Sequence, residues 1–90
     1  MQSQTTEKFR SLLAAAPAPI QAKARDAYRL WSENPGHPSL RYKKVHSSLP
    51  VYSARIDRDW RAVSVLKEGV AIWFWIGPHG EYEQLLSKLA

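Results

Sequence analysis

The run Asn34-Pro35-Gly36-His37-Pro38 divides this chain into two parts with different hydrophobic periods. Two prolines and a glycine within five residues can neither carry a helix onward nor sit inside a sheet ladder, so the run opens a loop. Before it, apolar residues recur at helical spacing. After it, they alternate. A chain ordered this way has to lay helices against a sheet, which predicts an α+β fold.

The helical part holds two segments. Thr5 or Thr6 can cap the first, with Glu7 in its first turn and Phe9, Leu12, Leu13 and Ala16 forming one stripe. Pro17 ends it, and Pro19 suits the first turn of the next helix. In that helix Ile20, Ala24, Ala27, Tyr28 and Trp31 share one face, up to about Asn34. The two stripes predict a helical hairpin over about residues 5–34, packed on itself or on a shared sheet.

Beyond the loop, Ser39–Val45 reads as a short edge strand carrying Lys43 and Lys44. Val51–Ile56 puts Tyr52, Ala54 and Ile56 on one face and Ser53 and Arg55 on the other. Trp60–Leu66 opposes Trp60, Ala62, Ser64 and Leu66 to Arg61, Val63 and Val65. Val70–Ile76 is apolar on both faces and belongs in the sheet interior, with Trp73 and Trp75 expected on the same side. Lys67-Glu68-Gly69 makes the turn before it. A loop at Gly77-Pro78-His79-Gly80 leads to a C-terminal helix over about 80–89, with Tyr82, Leu85, Leu86 and Leu89 facing inward. The expected order is α-α-β-β-β-β-α. One domain fills residues 1–90, with a four-stranded antiparallel sheet over about 39–76.

Register can be argued from the faces. A three-residue loop at Asp57-Arg58-Asp59 puts Ile56 opposite Trp60 and Arg55 opposite Arg61, so apolar side chains share one face and both arginines the other. Such a loop needs one residue near the left-handed region, which Asp tolerates. Like charges placed directly opposite destabilise a sheet by up to about 1 kcal/mol. A bound anion reverses that sign, and arginine grips phosphate with two prongs. Asp57 and Asp59 offer the alternative of local neutralisation.

Net charge is +5 over the whole chain, and the segment 41–67 alone carries seven basic and two acidic residues. A patch of this kind attracts nucleic acid or an acidic protein segment; it also serves plain solubility. Arg41, Lys43, Lys44, His46 and Arg58 are the candidate RNA-binding residues, although Lys43 and Lys44 also suit an edge that resists pairing with another chain. The chain has no cysteine, which excludes disulfides and thiolate metal sites. His37, His46 and His79 lie on separate loops without ligand spacing, so no metal or other cofactor is expected. The polar N-terminus carries no signal-peptide core, and the apolar run at 70–76 is too short to span a bilayer; a cytoplasmic protein without membrane contact is expected. His79 ends the central strand, where an imidazole can act as general acid or base.

Three stretches carry a family resemblance: NPGHPSLRYKK from Asn34, YSARIDRDWRAVSV from Tyr52 and WFWIGPHGEYEQLL from Trp73. Together they resemble the RelE/ParE superfamily, the toxins of bacterial type II toxin–antitoxin pairs, and the likeness covers nearly the whole chain. RelE-like members are ribonucleases that cut messenger RNA on the ribosome without a metal and so inhibit translation. By that resemblance Arg61 matches the arginine of an aromatic-Arg hairpin motif, and His79 lies where members place Arg or His. Arg55 and Ser53 fall where RelE-like enzymes carry two lysines. Arginine stays protonated and cannot be a base. Proton transfer would then fall to His79, or to Tyr82, which aligns less cleanly with the family's tyrosine. The catalytic set implied is Arg61, Arg55, His79 and Tyr82, and the partners implied are a cognate antitoxin and ribosome-bound mRNA. ParE-like members poison DNA gyrase and need no nuclease site, and a non-toxic member would only bind an antitoxin.

Overall fold

In a computed structural model, described here over residues 2–89, the first element is a strand and not a helix. Strand β1 (Gln2–Thr5) runs parallel to the strand that the sequence places in the sheet interior, with Gln2 opposite Val70 and Thr5 opposite Trp73. The sheet therefore has five strands. Its polar sequence hid β1, yet an edge strand exposed on one side has little need of apolar residues. Thr6 turns the chain into helix α1 (Glu7–Ala15): its amide donates to the Trp73 carbonyl at 2.9 Å, and its hydroxyl accepts from the Phe9 amide at 3.1 Å.

Helix α2 (Ala18–Glu33) follows across Pro17, with Pro19 in its first turn, and buries Ile20, Ala24 and Trp31. Tyr28 departs from its stripe. It is 45% exposed, and its hydroxyl hydrogen-bonds the Ser3 hydroxyl of β1. The hairpin packs on the shared sheet, with α1 over the strand next to β1 and α2 over the third strand in sequence. The expected strand at Ser39–Val45 is mostly a single 3-10 turn, Pro38–Leu40, leaving only Lys43–Lys44 as strand β2. Pro38 favours the turn's first position, and His37 Nδ1 accepts from the Ser39 amide.

Strands β3 (Val51–Asp57), β4 (Trp60–Lys67) and β5 (Val70–Pro78) form an antiparallel meander, and the sheet order is β1-β5-β4-β3-β2. Helix α3 (His79–Lys88) closes the chain. Arg55 does lie opposite Arg61, but the loop differs from expectation. Asp57 pairs with Trp60, Ile56 is the extra residue of a bulge, and a two-residue turn at Arg58–Asp59 joins the strands. No Asp takes a positive φ. The Asp57 carboxylate accepts from the Asp59 amide at 2.8 Å and closes the turn instead. The β4–β5 turn is a left-handed pair, Glu68 at φ 52° and Gly69 at φ 79°.

A second bulge corrects the tryptophan placement. Val63 faces Trp75 while Ser64 faces Trp73, so Phe74 is the extra residue and the two indoles point to opposite faces. Trp73 joins Trp31 edge-on, ring centroids 5.2 Å apart, in the core beneath α1 and α2 with Leu40, Ala54, Ala62 and Ile76. Trp75 joins Val51, Val63 and Tyr82 in a second core beneath α3, with Leu85, Leu86 and Leu89 against it. Both faces of the sheet are covered, and the sheet's second face is only partly available to a partner.

Candidate functional site

Alternation along the strands puts Ser53 and Arg55 of β3, Arg61 and Val63 of β4 and Lys43 of β2 on the α3 side. Helix α3 covers the middle of that face. Arg55 and Arg61 lie toward the Asp57–Trp60 end of that face, and both are half-buried.

Three contacts fix the first turn of α3. The His79 amide donates to the Asp59 carbonyl at 2.7 Å, tying the start of α3 to the β3–β4 turn. The Tyr82 hydroxyl donates to Ser53 Oγ at 3.0 Å, one strand position pair away from Arg55. The Trp75 indole lies across Gly77 and packs on Tyr82, ring centroids 6.4 Å apart. A Cβ on Gly77 would come within 2.6 Å of that indole, so only glycine lets the ring lie there. His79 itself is partly exposed; its ring stands 5.7 Å from that of Tyr82, and its Nδ1 is 3.2 Å from Glu83 Oε1.

The two arginines are held differently. Arg61 Nη1 donates to the carbonyls of Asp57 at 2.8 Å, Trp60 at 3.0 Å and Arg58 at 3.2 Å, so one nitrogen braces the turn. The Arg55 side chain makes no hydrogen bond or ion pair among the described residues and lines a cleft with Lys23, Asp26, Ser39 and Leu40. Lys23 of α2 reaches the same end of the sheet, its Nζ 3.2 Å from Asp57 Oδ2. The Asp59 amide above all, and Lys23 less, hold the Asp57 carboxyl below the usual aspartate range, against a smaller effect of burial.

A family model for the ParE-like toxin domain matches residues 18–84, from the start of α2 into α3. The chain belongs to the ParE-like toxin family. No curated protein sequence matches it. Among solved structures the ParE-like domain is similar to YafQ from E. coli strain BL21(DE3), at 15% identity, TM-score 0.73 and coverage of 90% of this chain and 96% of that one. It is also similar to the RelB–RelE antitoxin–toxin complex of Methanococcus jannaschii, at 12% identity, TM-score 0.72 and 90% and 95% coverage. A third likeness is to the YoeB/ParE toxin of Agrobacterium tumefaciens, at 15% identity, TM-score 0.69 and 88% and 99% coverage. These likenesses show a shared α+β fold.

Within the ParE-like domain, Arg55 and Arg61 are cross-strand partners and the His79 backbone is tied to the turn that joins their strands, while the cleft that Arg55 lines opens toward α2. Tyr82 does not offer a free hydroxyl there: it is 7% exposed, and its oxygen is engaged by Ser53. His46 is likewise structural. Its Nδ1 accepts from the amides of Ser48 at 3.1 Å and Leu49 at 2.8 Å, and its Nε2 meets the Leu89 carbonyl at 2.7 Å, which clamps the end of α3 to the β2–β3 loop. Lys44 faces the helix side through its pairing with Tyr52 and donates to the His46 carbonyl. Lys43, opposite Ser53, and Arg58, exposed on the turn, remain beside the arginine pair; Arg41 is exposed at φ 45°, next to β2. Sequence reasoning missed Lys23 and Glu83. Lys23 lies one residue from Ala24 on α2 and carries no motif, whereas the i,i+4 spacing of Glu83 from His79 was a usable signal. Among the described residues no group of three His, Asp or Glu stands together to hold a metal, and no helix is long and apolar enough to cross a membrane.

Proposed function

We propose that this ParE-like domain is the toxin of a type II toxin–antitoxin pair and acts as a metal-independent ribonuclease on ribosome-bound messenger RNA. One observation supports the reading: two arginines directly opposed across β3 and β4, with the backbone amide of His79 tied to the Asp59 carbonyl of the turn that joins those strands. Opposed cations cost stability in a sheet and are favourable over a phosphodiester. The Arg55 side chain, free of protein partners, and the unengaged nitrogens of Arg61 would hold the scissile phosphate and stabilise the charge that builds on its oxygens. Arg41, Lys43 and Arg58 would hold the strand on either side. His79 is the proton carrier, since Tyr82 is buried and arginine cannot serve.

The test is cleavage of message in a programmed ribosome by purified protein in the presence of a chelator. Wild type cuts; Arg61→Ala and His79→Ala each lose at least about a hundredfold in rate, the usual weight of a charge-stabilising donor and of a general acid–base group respectively. Uncut message from folded wild type contradicts the reading. A non-enzymatic mode, gyrase binding or antitoxin binding alone, is favoured by the brace on Arg61, which gives that side chain a structural task in the free domain. Supercoiling inhibition that survives His79→Ala would mark the gyrase mode. The cognate antitoxin is proposed to carry an acidic segment that neutralises this end of the sheet, with an association rate that falls as salt rises.

A further inference from the structure

We infer that Glu83 is the positioning residue of His79, fixing which ring nitrogen carries the proton. The inference deepens the ribonuclease reading and rests on it. Glu83 follows His79 by four residues, one helical turn, and its Oε1 lies 3.2 Å from Nδ1. The pair stands at ion-pair distance without hydrogen-bond geometry in the free domain; drawn into a hydrogen bond, an ionised carboxylate can only accept, which puts the proton on Nδ1. The neutral imidazole is then left with an unprotonated Nε2, which has no partner among the described residues. The remaining constraints on the residue are independent of Glu83: its backbone amide is held by the Asp59 carbonyl, and its ring stands tilted beside that of Tyr82. In the reaction Nε2 accepts the proton of the 2′-hydroxyl as its oxygen bonds to phosphorus. The bond from phosphorus to the 5′-oxygen breaks, and the imidazolium returns the proton to that leaving oxygen. Both Glu83 and His79 are partly open to solvent, with side chains 68% and 43% exposed, so the contact selects a tautomer and orientation and adds little to folding.

The experiment reads the ¹⁵N shifts of the His79 ring in the free domain at about pH 8.5, above the ordinary histidine range. Wild type should show the proton on Nδ1. Glu83→Ala should move it to Nε2, and Glu83→Gln, whose amide oxygen still accepts, should keep it on Nδ1. On programmed ribosomes Glu83→Ala should lower kcat about tenfold with KM within about twofold, the signature of lost proton transfer and not lost binding, and Glu83→Gln should restore most of it. A wild-type proton on Nε2, or no response to Glu83→Ala, overturns the inference. A tautomer that responds as stated, in a protein that leaves message uncut, supports the coupling of Glu83 to His79 and overturns the ribonuclease reading instead.

Discussion

Single residues in this domain carry tasks that their types alone do not reveal. Glu68 occupies a left-handed turn position at φ 52°, which costs a side-chain-bearing residue roughly 1 kcal/mol. Glu68→Asn, the residue such turns favour, should raise the melting temperature by about 4–8 °C for a domain of this size in a thermal scan. Asp57 shows how a charge in a turn links stability to pH. Its folded-state carboxyl is held below its unfolded range, so its contribution is complete at neutral pH and fades as pH falls through the folded-state value. Asp57→Asn keeps the amide contact and loses the charge. In denaturant titrations it should be less stable than wild type by a few tenths of a kcal/mol near pH 7, with the gap closing below about pH 4. The arginine pair was legible from the faces of the two strands alone. The bulge at Ile56 was not, because two loop lengths give the same Arg55–Arg61 pairing and nothing in the residue types chooses between them.

At the scale of elements, α3 is the part that carries His79 to the turn joining the arginine strands, and it is tied at both ends. Gly77 admits the Trp75 indole against which Tyr82 packs, and His46 clamps the carbonyl of Leu89, just past the helix. Gly77→Ala should cost about 1–3 kcal/mol through displacement of that indole. His46→Ala should cost about 0.5–1.5 kcal/mol, the net worth of hydrogen bonds whose exposed partners can turn to water. Hydrogen exchange should locate both effects in α3, with His46→Ala speeding exchange of residues 85–89 first. Unchanged protection of those amides in His46→Ala would show that apolar packing alone holds the helix. The sequence marked the inward stripe of α3 and the reach of α1 and α2 correctly, because periodicity reports burial. It could not place β1, whose polar Gln2–Thr5 shows no strand period, nor see that Phe74 is inserted and sends Trp73 and Trp75 to opposite faces. It did make β5 an interior strand, which already required a neighbour on each side.

For the whole molecule, the fold explains why the charge collects where it does. Two helices cover one face of the sheet, α3 covers most of the other, and the end by the β3–β4 turn is left to Arg55, Arg61, Arg58 and the reach of Lys23. Stability comes from the two cores, so the charged end is free to be built for a ligand and not for packing. Truncating His79 should accordingly move the melting temperature by no more than about 4 °C, as surface changes do in a domain of this size, and truncating Arg55 should raise it, by up to about 4–8 °C, because the opposed charge is gone. The most direct test of the central claim is transcript-end mapping in bacteria after induction of wild type, Arg61→Ala and His79→Ala. New message ends within translated regions in wild type, absent from both variants while the proteins stay folded and growth recovers, is the result the arginine–histidine site predicts. Growth arrest by wild type with message ends unchanged would contradict it.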